Sequence, residues 1–179
     1  ASASGSGAIA LGPTASGQSG AQATGGTSIA IGTASVADAS NALAIGKRAE
    51  SHSQNGFAIG AIAVSHGQNA LAMGMSSLTY GQDSITLGTG ARVGGQTIPA
   101  QGEEGQEGYV PESVSSFNNS VAIGQEASVD ANYGFALGSK ASISTDAAYG
   151  LALGSNTTVT AHGGTAIGFN SVADRLSQS

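Results

Sequence analysis

The chain has 179 residues, a formal charge of −6 at pH 7, five basic residues, 29 glycines and no cysteine. So few Lys and Arg cannot build the clustered footprint that a phosphate backbone requires, which argues against nucleic acid as a partner. The lack of thiols removes disulfide frameworks and thiolate metal sites, and no apolar run approaches the roughly 18 residues of a spanning helix.

From the N-terminus onward one tetrapeptide recurs, usually two large apolar residues around a small one, then Gly. It reads IALG ending at Gly12, IAIG at Gly32, LAIG at Gly46, FAIG at Gly60, LAMG at Gly74, ITLG at Gly88, VAIG at Gly124, FALG at Gly138, LALG at Gly154 and TAIG at Gly168. Successive glycines lie 20, 14, 14, 14, 14, 36, 14, 16 and 14 residues apart. The period is 14, interrupted by extra segments after Gly12, Gly88 and Gly138, and a fixed period of this kind marks a solenoid. The opening ASASGSGAIALG has neither the basic nor the apolar segment of a signal peptide, so the expectation is a soluble segment of a longer protein.

Aligned on the glycine, the residue before it is always large and aliphatic, and the residue two before it is Ala in nine of ten copies, Thr86 being the exception. The residue four before is Ala, Ser or Gly, and the residue three after is small from Ala15 through Ser35 and Ala49 to Ser171. Alternation with period two is the pattern of strands. Fourteen residues leave room for two strands of about four or five residues and two tight turns, stacked on neighbouring copies about 4.8 Å apart by parallel ladders. A helix is excluded, because a Gly every turn or two costs about 1 kcal/mol each relative to Ala.

Such a coil is too narrow to hold large side chains from both strands. The small face therefore points inward, with Ala44, Ala58, Ala72, Ala122, Ala136 and Ala152 as coil interior. The large face points out. It runs as a stripe through Ile29, Ile31, Leu43, Ile45, Phe57, Ile59, Leu71, Met73, Ile85 and Leu87, then Val121, Ile123, Phe135, Leu137, Leu151, Leu153 and Ile167. Apolar patches of this extent on soluble proteins mark interfaces, and the simplest cover is another copy of the chain.

The unit is written almost verbatim in NNSVAIGQEAS, Asn118 to Ser128, and its ten copies resemble the heads of trimeric autotransporter adhesins of the YadA-like type. The resemblance spans Ala8 to about Asp174. It implies an all-β, left-handed parallel β-roll of about ten 14-residue coils, assembled as a homotrimer through the aliphatic stripes. It also implies a non-enzymatic cell-surface head that attaches bacteria to host cells or matrix proteins such as collagen, fibronectin or laminin, with autoaggregation as a further role. The membrane would be reached only through a C-terminal outer-membrane anchor outside this chain. A spacer that presents some other binding domain is the alternative. Residues 1–173 are expected to form the head, with an inserted loop at 94–116. Residues 174–179, which include Arg175, either open a neck connector or are simply the chain's last residues.

Three features are candidate sites. The long insertion carries Glu103, Glu104, Glu107 and Tyr109, on a loop where a rigid scaffold would place a ligand contact, although a solvated acidic loop is the plainer reading. Six residues after the glycine, Asp38, His52, His66 and Tyr80 fall in one column, which would stack the two imidazoles about 4.8 Å apart, close enough for a ligand, metal or pH-dependent contact, although a polar surface turn is the plainer reading. Asn41, Asn55, Asn69, Asp83 and Asn119 occupy the column five before the glycine, where left-handed turns favour them. No enzyme is expected, since no G-x-S-x-G elbow occurs and two of the three histidines sit in one repeat turn column. No cofactor and no metal are expected either.

Overall fold

The computed structural model describes residues 1–14, 17, 19–95, 97–98 and 113–174. Each coil contributes one strand of three residues, such as Leu43–Ile45, and one of two, such as Glu50–Ser51. Among the described residues the three-residue strands form a ten-stranded parallel sheet and the two-residue strands an eleven-stranded one, and there is no helix. The strands are shorter than expected from the period, because each tight turn takes more of the 14 residues than its two central positions.

Register is one coil per step: Leu43, Ala44 and Ile45 pair with Phe57, Ala58 and Ile59, which pair with Leu71, Ala72 and Met73. The first turn closes with the Ala49 N–H donating to the Gly46 carbonyl at 3.2 Å, and the second with Ala42 donating to Ala39 at 3.2 Å. Both turns need a left-handed residue, supplied by Arg48 at φ 57° in the first and by Asn41 at φ 58° in the second. Asn55, Asn69, Asp83 and Asn119 hold the same conformation, as their column suggested.

The interior is narrow and filled by small side chains. Ala44, Ala58, Ala72, Ala122, Ala136 and Ala152 are all fully buried. In the N-terminal half they face Ala37, Ser51 and Ser65 of the short strands, but toward the C-terminus the same column becomes Val93, Val129, Ile143 and Val159, also buried. For Val129, Ile143 and Val159, room comes from the other side of the coil, where Gly134, Gly150 and Gly164 replace Ala or Ser. A Cβ on Gly134 would lie 2.5 Å from Val129 Cγ1, and one on Gly164 2.9 Å from Val159 Cγ1. Interior volume is thus held roughly constant by paired exchange between columns, as close packing requires. Thr86, the exception in the alanine column, faces Thr79, and their hydroxyls hydrogen-bond at 2.7 Å inside the coil.

The extra segments leave at turns and do not disturb the ladders. In the first coil the small position expected three residues after Gly12, at Ala15, is filled by Ala21, and Ala23 pairs with Ala37 of the next coil. Ala15 itself lies outside the described residues. The long insertion departs as an antiparallel pair, Thr97–Ile98 with Ser113–Val114, closed by the Gly95 N–H donating to the Ser115 carbonyl at 2.8 Å. Across it, Ile85 still pairs with Val121 and Arg92 with Ser128.

A side-chain pair pins the two coils that flank the insertion. Arg92 grips Asp130 through both guanidinium nitrogens at 2.6 Å, with the Asp130 side chain only 9% exposed. Removing one member of a buried pair typically costs 3–5 kcal/mol. Arg92 is 28% exposed and retains some water, so Asp130→Ala is expected to lower unfolding stability by about 2 kcal/mol. Urea denaturation measures this, and an unchanged midpoint would show that the pair does nothing for the fold.

Candidate functional site

The strand alternation places large side chains of the three-residue strands on the outside. Most of the stripe is half-buried by its own neighbours along the ladder, and several members are open: Phe57 is 42% exposed, Leu137 43% and Ile167 66%. Met73, Ile85 and Phe135 are also exposed, while Ile29, Ile31, Leu43, Ile45, Ile59, Leu71, Leu87, Val121, Ile123, Leu151 and Leu153 are intermediate. Ile9 and Leu11 extend the same face by one coil, pairing with Ile29 and Ile31. The first IALG copy carried that signal in the sequence, but the long gap after Gly12 separated it from the regular run.

The short-strand side of the roll is chemically different. His52 Nδ1 lies 2.8 Å from Asp38 Oδ2 and its Nε2 3.3 Å from Glu50 Oε2, so both ring nitrogens have carboxylate partners. Its ring stacks on His66 with centroids 4.8 Å apart, and His66 stacks on Tyr80 at 4.4 Å. The column that the sequence placed together is therefore one continuous stack along the roll axis. Burial pushes the His52 pKa down, but the hydrogen bonds and charges of Asp38 and Glu50 outweigh it and hold the group above its ordinary value. For His66, burial and then the neighbouring His52 charge hold it below. Among the described residues no group of three His, Asp or Glu converges as a metal set.

The second turn carries a different ladder. Thr27 donates to Asn41, Asn41 Nδ2 to Asn55 Oδ1 at 3.0 Å, Asn55 to Asn69 at 2.9 Å and Asn69 to the Asp83 carboxylate at 2.8 Å. All the amides run the same way and end on an anion, an arrangement that rigidifies the edge. Farther along, Tyr133 and Tyr149 take that column and stack at 4.8 Å, with His162 edge-on to Tyr149. The only sequence signal of this aromatic run is the switch from Asn to Tyr in the column. Glu103, Glu104, Glu107 and Tyr109 lie outside the described residues, as does Arg175.

A parallel two-sided solenoid with a small-residue interior and an apolar outer face belongs to the class of β-roll repeat domains. The family model for the YadA head domain repeat matches residues 23–49, 65–91, 118–141 and 147–171, more than half of the sequence, and the chain belongs to that family. Among solved structures, the collagen-binding domain of the Yersinia adhesin YadA superposes with a TM-score of 0.72 at 23% identity, covering 96% of this chain and 86% of that one. At that identity the match speaks for the fold. No curated protein matches the chain, and no helix in the described residues is long and apolar enough to cross a membrane.

Proposed function

We propose that this chain is the adhesive head of a trimeric autotransporter: a non-enzymatic, obligate homotrimer that holds a bacterium to host matrix proteins or host cells. The carrying observation is the apolar stripe, from Ile9 to Ile167 and interrupted only by Thr165 in the last coil, on a roll whose interior is already filled by its own small and β-branched side chains. Each large aliphatic side chain withdrawn from water is worth roughly 1.5–3 kcal/mol, so three copies joined along their stripes gain far more than any one loses by association. Family membership supports the same assembly, and the collagen binding of the structurally similar Yersinia domain supports matrix protein as the ligand class.

In this reading residues 1–173 form one head with the loop at 94–116, and residues 174–179 enter a neck. The protein sits at the cell surface, held by an outer-membrane anchor elsewhere in the full-length sequence. Attachment is multivalent, with one weak patch presented three times on each head and many times per cell, so avidity exceeds single-site affinity. The same geometry suits head-to-head autoaggregation.

The test is binding of the assembled protein to immobilised collagens, fibronectin and laminin, repeated with residues 96–114 replaced by a two-residue turn. Gly95 and Ser115 are already hydrogen-bonded, so the shortened chain is expected to fold and assemble normally. Loss of binding with the fold intact would assign the contact to the loop and its Glu103, Glu104, Glu107 and Tyr109; retention would assign it to the roll faces. An intact trimer that bound no matrix protein would favour the spacer reading.

A further inference from the structure

We propose that the His52–His66–Tyr80 stack is a two-step proton switch on the roll surface, closed while His52 alone is charged and opened when a second proton reaches His66. The short strands put the three rings on one outward column, on the side of the roll away from the apolar stripe. Asp38 approaches from the preceding coil, Glu50 from the short strand of the same coil and Tyr80 from the following one. The charged groups acting on the two imidazoles are Asp38, Glu50 and the imidazoles themselves.

One proton suits this arrangement. An imidazolium at His52 donates from both nitrogens to two carboxylates, and a neutral His66 lies face-on against it at 4.8 Å. A second proton does not suit it. It would set two like charges ring against ring, with both carboxylates hydrogen-bonded to His52 and acting on His66 only through space. The backbone cannot yield, because His52, His66 and Tyr80 each donate their N–H into the ladder, to Ser65, Thr79 and Val93 at 2.9, 2.8 and 3.0 Å. The strain is therefore released at the side chain. His66, the middle ring of the stack and the most exposed of the three, swings into water and uncovers the face of Tyr80. Acidification replaces a closed, net-negative aromatic column with an open one carrying an additional positive charge.

The two shifts oppose one another in stability. His52, raised, stabilises the fold below its ordinary value of 6.5, and this is lost as pH climbs through the higher folded value. His66, lowered, costs stability as pH drops from 6.5 toward its folded value. The contribution of the stack therefore peaks near pH 6.5.

The test is NMR of the assembled head, labelled at histidine and tyrosine rings, in a His162→Gln background that leaves two histidine signals. Titration from pH 8.5 to 4.5 is expected to give two midpoints, one on each side of 6.5. Tyr80 ring shifts and the His66–Tyr80 cross-peaks should change with the lower midpoint only. His52→Gln should move the His66 midpoint up, and Asp38→Asn should move the His52 midpoint down. A single shared midpoint, a His66 midpoint unmoved by His52→Gln, or a Tyr80 ring that follows the upper midpoint would each overturn the proposal. The first and third outcomes are read on the unsubstituted stack, so they do not depend on how the stack variants fold.

Discussion

Ile45→Asp is expected to leave no assembled head. Ile45 sits mid-stripe, laddered between Ile31 and Ile59, with its side chain half-buried even in the single chain. A neighbouring subunit laid on that face would enclose the new carboxylate without a cation to meet it, since Lys47 and Arg48 belong to the adjoining turn and both are exposed. Burying an unpaired charge costs several kcal/mol after relaxation, and the roughly 1.5–3 kcal/mol from Ile itself is lost as well. A homotrimer meets this cost in every subunit. Size-exclusion chromatography with light scattering should show aggregate or unfolded monomer, and Ile123→Asp should behave in the same way. Ile62→Asp is the control: this side chain is 45% exposed on a turn, off the stripe and in a left-handed conformation that Asp tolerates better than a β-branched residue. It should assemble normally. A folded trimer of Ile45→Asp would remove the stripe as the contact surface.

The second large effect concerns a single added methyl group. Gly60 has φ 137°, a region that L side chains rarely adopt, and a Cβ there would stand 2.7 Å from the Gly74 carbonyl carbon and 3.2 Å from the Met75 nitrogen. The clash is with the backbone of the next coil, so no rotamer relieves it. Backbone strain of about 1–3 kcal/mol and overpacking of about 1–3 kcal/mol act together. Gly60→Ala should therefore destabilise the fold by about 4 kcal/mol, read as a lower denaturation midpoint of the intact assembly. The neighbouring Ala61→Gly, which removes a Cβ from the same turn and adds none, separates this effect from general loosening of the turn. Wild-type stability in Gly60→Ala would mean that the coils can separate locally without cost.

Much of this was legible beforehand because a repeat multiplies weak evidence. One alternating tetrapeptide is ambiguous between a strand and a buried helix segment, but ten copies on a 14-residue period are not. Strand identity, the inward alanines and the left-handed asparagine turns follow from side-chain size and backbone sterics alone. The His52–His66 stack was also visible, since equal offsets from successive glycines must superpose in a parallel ladder.

Other features involve residues that share no column or no regular spacing. Arg92 and Asp130 are 38 positions apart and meet only because the insertion loops out and returns in register. The first coil's small position moved from Ala15 to Ala21, because a count from the glycine cannot tell on which side of a strand extra residues fall. Exchange of Val129 for bulk opposite Gly134 likewise appears only once the two columns are seen face to face.

What the sequence by itself determined is the repeating unit and its two faces, because alternation and turn chemistry are local and each copy confirms the last. The tertiary structure decided which side chains meet across the coil and along it, and hence that His52 carries two carboxylates while His66 carries none. Pairings between columns depend on the coil's width and on where each insertion leaves it, and those are set by packing in three dimensions.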